Sequence, residues 1–584
     1  MDNTVSVPFQ PCVNIADASD LEYAEAPTDR TPLFKSNEIL GSTNYGTLPN
    51  LETEDPAEEP ENKPKEKKKT SNAGTFLHLI KGNVGTGILA MPIAISNFGL
   101  LAGILGIILL GFFCIYCMQL LVFCSKVAVA EKVRRKKPLE LQTEPGSSNE
   151  GANVAATADR TVNYGPQDGN PEIQEAGYQT CDQEQQANVQ GNGNQASEEN
   201  MSLDYANTAY EAFLHGPKFF RVWASSMRFA VNFLLVLTQF GFCCVYFLFV
   251  GQSLHEVSLN MKVFTSLSTT TIMAIALPFM ILLNFVPNLD MLTGVSTTAV
   301  GLQSVGLLMM FLYFVKGPFS DSVIPYIAPL RKWPLFFGTA MFSFEGIGVV
   351  LPLENEMKRK RSFKKIVNLG MTIVVCLYLL IGICGYIKYG ADVKPSITFN
   401  LPVGCFSEVI RLLFALAIFL SYPLQMYVPF TFILPYMKRK LVCNGCNRYG
   451  ELTVDWTIRA LLVCITFGIA AGVPMLDLVI SFIGSVASSC LALILPPFIH
   501  AVTILKYDDI RYKKVLLGFD VFLSVLGVCG LFVGAFTSVS EMVNRNTTDV
   551  TLTVASYDEL MSSGLNEAIL LLSSKNSSCC TLFH

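Results

Sequence analysis

Two short strings in this 584-residue chain carry the residue types that bind a small zwitterion. One is Gly82-Asn83-Val84-Gly85-Thr86-Gly87, followed by Met91-Pro92. The other is Phe342-Ser343-Phe344-Glu345-Gly346-Ile347-Gly348, followed by Leu351-Pro352. Each interrupts an otherwise apolar segment, 75–98 and 335–355. Unwound backbone in a bilayer persists only where it is buried in protein or lines a cavity. The first break frees N–H groups at the start of a half-helix near Ile88, whose positive end suits a carboxylate. The second leaves carbonyls free where a half-helix stops near Phe344, and these suit an ammonium group. The expected substrate-binding residues are therefore Gly82, Asn83, Gly85, Thr86, Gly87, Phe342, Ser343, Phe344 and Gly346. Close helix packing through small residues is the competing reading of the glycines.

Two ionisable residues stand beside the breaks. Glu345 at mid-bilayer costs on the order of 3 kcal/mol unless it is protonated or paired. It reads as a proton acceptor or as a neutral carboxyl capping freed backbone. His78, one turn before the first break, reads as a proton relay or as a hydrogen-bonded structural histidine. Lys81 reads as a snorkelling anchor. Ser421 offers a sodium-type ligand, or a hydroxyl bonded to its own preceding turn. Cys443-Asn444-Gly445-Cys446 is a lone pair of thiols, too little for a metal site. No nucleophile–base set occurs at usable spacing, so neither catalytic nor metal residues are expected, and the chain is not expected to be an enzyme. The proton is the expected coupling ion, with sodium the lesser alternative, and no other cofactor is implied. Nothing points to nucleic acid.

The elements that hold these residues are membrane spans. The chain is 51% hydrophobic and 15% charged, with mean hydropathy +0.42. Runs of about 20 apolar residues read as spanning helices. Eleven follow one another: 75–98, 100–125, 228–254, 268–286, 291–316, 335–355, 366–388, 407–436, 457–474, 477–503 and 515–540. Most of the seventeen cysteines, Cys114, Cys117, Cys243, Cys244, Cys376, Cys464 and Cys490 among them, lie inside these runs and act as small hydrophobes. The start lacks a basic-then-apolar pattern, so no cleaved signal peptide is expected and the first span does the targeting.

Residues 1–74 read as a disordered cytosolic tail ending in the basic run Lys63–Lys69. Residues 130–217, rich in Gln, Asn, Glu and Gly, read as a disordered cytosolic insert between spans 2 and 3. With the N-terminus in the cytosol, Arg134–Lys137, Lys358–Lys365, Lys438–Lys440 and Arg511–Lys514 fall on the same side. The tail 541–584 is then extracytoplasmic, where Asn546 and Asn576 sit in N-glycosylation patterns. Spans 1–5 and 6–10 form two inverted sets, each opening on a broken helix, with span 11 extra. The transporter domain is 75–540.

Whole motifs then match a known family in order. His78-Leu79-Ile80-Lys81-Gly82-Asn83-Val84-Gly85-Thr86-Gly87-Ile88-Leu89 and Gly338-Thr339-Ala340-Met341-Phe342-Ser343-Phe344-Glu345-Gly346-Ile347-Gly348 resemble the proton-coupled amino acid transporters of the amino acid/auxin permease group. So do Thr238-Gln239-Phe240-Gly241-Phe242-Cys243-Cys244-Val245-Tyr246, Phe399-Asn400-Leu401-Pro402 and Leu476-Asp477-Leu478-Val479-Ile480-Ser481. The resemblance implies an all-α membrane protein of eleven transmembrane helices with a LeuT-type 5+5 inverted repeat plus one extra helix. It implies electrogenic proton symport of small neutral amino acids and a coupling histidine at His78. It also implies an outer disulfide, for which Cys405 here has no partner in the loop between spans 3 and 4; Cys405 is free or pairs with Cys579 or Cys580.

The function expected is a secondary active transporter moving small neutral amino acids, by proton symport. The alternatives are a pH-independent facilitator or exchanger, or an amino acid sensor that reaches cytosolic signalling partners through the tail or the 130–217 insert. Asp29-Arg30-Thr31-Pro32-Leu33-Phe34 and Tyr45-Gly46-Thr47-Leu48 resemble sorting signals and leave plasma membrane and lysosomal or endosomal membrane both open.

Overall fold

The computed structural model describes residues 69–140, 202–263, 265–286, 289–316, 323–441, 448–507 and 510–579, with backbone alone for 136–140, 289–293, 441, 448–449 and 549–579. Every regular element among them is helical, and the sole β feature is an isolated bridge between Thr70 and Met357. In chain order the helices are α1 (Asn72–Asn83), α2 (Met91–Phe98), α3 (Leu100–Glu140), α4 (Tyr205–His215), α5 (Lys218–Arg221), α6 (Ala224–Asn260), α7 (Thr269–Asn284), α8 (Leu289–Val315), α9 (Trp333–Ser343), α10 (Val350–Glu356), α11 (Phe363–Tyr389), α12 (Cys405–Leu441), α13 (Arg448–Gly472), α14 (Leu476–Ile483), α15 (Leu495–Leu505) and α16 (Lys513–Cys579).

Helices satisfy their own backbone hydrogen bonds, which is what hydrocarbon demands of a spanning segment. Among the described residues nine are long and apolar enough to cross a membrane, and α1 with α2 make a tenth, bent by 49° at their break. The run at 268–286 forms α7, an apolar helix of 16 residues, shorter than a full crossing. The interruption between α9 and α10 stays within one span, Leu330–Glu356. In that span and in Leu476–Leu505, 78% of the most apolar stretch is buried, against 17% for Lys513–Thr548. Leu330–Glu356, the sixth of the apolar runs read from the sequence, and Leu476–Leu505, the tenth of those runs, therefore form the centre, and α16 forms a rim.

The 130–217 insert needs correcting at both ends. α3 continues as helix to Glu140, and α4 is a buried helix packed on α6, α3 and α15. Ala206, Ala209 and Phe213 recur at helical spacing on its buried face, and the Asp204 carboxylate accepts from the Asn207 N–H at 2.7 Å as the N-cap. A polar flank hides this short apolar stripe. Residues 141–201 lie outside the described residues, as do 1–68 of the N-terminal tail and the Cys443/Cys446 pair.

The backbone of the tail at 541–584 is helical through Cys579, with Asn546 exposed and the Asn576 side chain outside the described set. Cys405 is an exposed free thiol. Just before α1, Thr70 donates its N–H to Glu356 O at 2.8 Å and accepts from the Lys358 N–H at 3.0 Å. The start of span 1 is thus fastened to the end of span 6.

Candidate functional site

The two breaks meet. α1 ends where the Val84 N–H closes on Ile80 O, Gly85 is extended, and a 3₁₀ turn over Thr86–Ala90 leads into α2, with Pro92 in its first turn. The first N–H groups of that turn have no intrahelical acceptor. α9 stops at Ser343; the Phe344 N–H still reaches Ala340 O, and the Gly346 N–H bonds Phe344 O at 2.9 Å. Gly87 lies so near Ser343 that a Cβ on it would sit 2.7 Å from the Ser343 Cα, so only glycine permits the contact. The same holds where α9 crosses the tenth span: a Cβ on Gly484 would be 1.9 Å from Gly338 O.

One hydroxyl joins both breaks. Tyr378, on α11 and fully buried, points its phenol O–H between Asn83 O at 2.6 Å and Ser343 O at 2.5 Å. Each carbonyl ends a half-helix and lacks a helical partner. Gln303 of α8 donates its amide N–H to Gly85 O at 3.2 Å.

Between the breaks lies a cavity with about 290 Å³ of empty volume, part of it open to solvent. Its walls are Gly82, Asn83, Gly85, Thr86 and Gly87 from the first break, Phe342, Ser343 and Glu345 from the second, Phe242 and Tyr246 from α6, and Gln425 from α12. Seven of the nine residues expected at the substrate site are thus brought together. The other two stand behind the wall. Phe344 turns its ring to Tyr378, centroids 5.2 Å apart, and Gly346 abuts the Asn83 side chain.

Glu345 is buried and lines the cavity, and its Oε2 has no hydrogen-bond partner. The Ser488 hydroxyl bears on the same carboxyl. Ser488 belongs to a π-helical stretch, Gly484–Ser488, that widens the tenth span behind the second break. Such bulges concentrate at functional sites. The free oxygen can take a proton or accept from an ammonium N–H.

His78 is exposed on α1 and is not part of the cavity wall. Ser421 bonds its own preceding turn, donating to Ala417 O at 2.9 Å. The residues missed from sequence are Phe242, Tyr246, Gln303, Tyr378 and Gln425. For Tyr378, Gln303 and Gln425 a signal existed, since each is a polar group in an apolar run. Phe242 and Phe342 meet edge to face at 4.6 Å and form the apolar wall. Gln425 donates to Tyr246 Oη at 3.2 Å and closes the polar one.

Residues 68–138 and 189–540 match the sequence profile of a family described as transmembrane amino acid transporter protein. The chain belongs to this family. It is therefore an integral multi-pass membrane protein of an amino acid transporter family, not an enzyme. Among relatives of this transporter is the proton-coupled amino acid transporter-like protein pathetic of Drosophila melanogaster, 28% identical over 485 residues, which covers 81% of this chain and 86% of the relative. Another is amino acid transporter AVT3B of Arabidopsis thaliana, 28% identical over 327 residues, 54% of this chain and 75% of the relative. Both matches are to transporters named for amino acids.

Proposed function

We propose that this transporter moves small neutral amino acids across a membrane in symport with protons, with the cavity between the two breaks as the substrate site. The observation that carries the reading is the placement of Glu345. A buried carboxyl-bearing residue of the second break stands in the wall of a cavity lined by both breaks, with the Ser488 hydroxyl bearing on its carboxyl. The substrate carboxylate is assigned to the N–H groups of Thr86 and Gly87 at the start of the 3₁₀ turn. Its ammonium group is assigned to the Glu345 side. The apolar wall formed by Phe242 and Phe342, packed edge to face across the cavity, supports small apolar side chains. Glu345 and His78 are the proton groups, with Glu345 at the substrate and His78 outside the cavity on α1. The Drosophila relative is named as proton-coupled, which supports the proton over sodium.

The same reading takes α7 as a full span, giving eleven in two inverted sets of five plus one. The basic clusters then lie in the cytosol, and Asn546 and Asn576 carry N-linked glycans on the other side. In the plasma membrane the symport imports amino acids; in a lysosomal or endosomal membrane it exports them from the lumen. The tail and the insert are the proposed docks for cytosolic signalling partners.

The test is uptake and current from a panel of amino acids at two outside pH values. Symport requires amino-acid-evoked current that grows as the outside pH falls. Uptake indifferent to pH and voltage would leave a facilitator or exchanger of the same fold.

A further inference from the structure

One buried acid–base pair takes no part in the cavity. His500 Nδ1 of α15 lies 2.7 Å from Asp520 Oδ2 of α16, with the two side chains 6% and 1% exposed. The other carboxyl oxygen, Asp520 Oδ1, has no hydrogen-bond partner. The Phe123 ring meets the imidazole edge to face at 5.5 Å and shields it.

The groups around the pair form a polar line through an otherwise apolar interior. From α3, Cys117 and Cys124 lie within electrostatic reach of Asp520. Thr503, one turn beyond His500, donates its hydroxyl to Ile499 O at 2.8 Å and stands 3.7 Å from Cys124 Sγ. Thr503 and Cys124 line a second cavity together with Glu131, Glu211, His215 and Lys506. It is partly open to solvent, at the end of the bundle that carries the basic residues. In the other direction, Tyr205 of α4 is within electrostatic reach of Cys117 and of Glu345, and its hydroxyl bonds Leu491 O at 2.7 Å on the tenth span. The pair thus stands between the Glu345 cavity and the polar cavity at the basic end.

We propose that the His500–Asp520 pair is the release station for the coupled proton on its way from the Glu345 cavity to the basic end of the bundle. The proposal rests on the symport reading and adds the route by which the proton leaves. Charge bookkeeping supports it. With one proton beyond the carboxylate and neutral imidazole the pair is neutral, and without it a net −1 is left in the interior, while Lys506 at the second cavity is already paired with Glu131 at 2.7 Å. Acidic and histidine side chains set inside a membrane bundle recur in proton relays. The balance is simple. An O–H bond breaks on protonated Glu345, an N–H bond forms on His500 opposite Asp520, and that N–H then gives its proton to water in the second cavity.

The test reconstitutes the full chain in proteoliposomes as wild type, His500→Gln, Asp520→Asn, and the swap of both residues. The probe is the labelled amino acid that the wild type accumulates best from a panel of glycine, alanine, proline and leucine. Net uptake driven by a pH gradient is compared with one-for-one exchange of the same amino acid at equal pH, which needs no net proton release. In the single variants net uptake falls about tenfold or more while exchange stays within about twofold, and the swap restores part of the net uptake. If exchange and net uptake fall together, or neither falls, the pair is structural or idle and the proposal is overturned. A wild type that ignores the proton gradient sinks the symport reading itself. A coupled wild type with unaltered variants sinks only this route.

Discussion

Tyr378→Phe isolates the joint between the two breaks. The phenol has one proton and two acceptors, Asn83 O at 2.6 Å and Ser343 O at 2.5 Å. Removing the oxygen keeps the ring and its contact with Phe344 at 5.2 Å, so no large cavity is left. What is lost is one buried donor shared by two helix-terminal carbonyls. Stranding a buried acceptor costs about 1–3 kcal/mol. Only part of that reaches transport if the bond is equally strong in every conformation of the cycle. If it forms only when the breaks are held together, the whole cost falls on the substrate-bound state, and half-saturation rises by about 5- to 150-fold. The assay is the concentration dependence of uptake, normalised to protein in the membrane, with thermal unfolding of purified protein alongside. A variant whose half-saturation stays within about twofold of wild type, with an unchanged unfolding midpoint, would refute the idea that this hydroxyl holds the breaks in register.

Three further outcomes follow from the geometry. Glu345→Gln keeps the shape of the cavity wall and removes its titratable group; uptake in that variant no longer rises as outside pH falls, read from initial rates at two pH values. Gly87→Ala puts a Cβ 2.7 Å from the Ser343 Cα, a backbone clash, and lowers transport by about tenfold or more while leaving the protein in the membrane. His215, on α4 outside the spans, is pushed below its ordinary value of 6.5 by burial and by the Arg135 and Lys506 charges, against the pull of Glu211 and Glu131. A depressed histidine stabilises above the unfolded value, and that contribution is lost as pH falls through the folded one. Docking of α4 therefore weakens below pH 6.5, which amide hydrogen exchange of 205–215 measures as a gain in exchange after correction for intrinsic rates. His215→Phe flattens that dependence.

The breaks were legible because glycine, proline and a carboxylate depart sharply from the apolar runs around them. The side chains that α6 and α12 bring to the cavity were not. Phe242 looks like any other aromatic in an apolar stretch, and only its meeting with Phe342 gives it a place at the site. α4 escaped notice because average polarity over 130–217 outweighs an apolar stripe of a few residues. The histidines show the limit most clearly. His78 is conspicuous beside the first break, yet its side chain is exposed. His500 looks unremarkable near the end of a span, and the carboxylate that makes it notable is twenty positions away on another helix. Pairing between helices is a property of packing, which periodicity along one helix cannot encode.

The clasp at Thr70 has a mechanical consequence. Its two hydrogen bonds, to Glu356 O and from the Lys358 N–H, tie the first residues of α1 to the last turn of the sixth span. Any swing that carries α1 off α10 must first unfasten both. Because both bonds run backbone to backbone, side-chain substitutions there leave them in place, and only proline at position 70 or 358 removes one of the two donors.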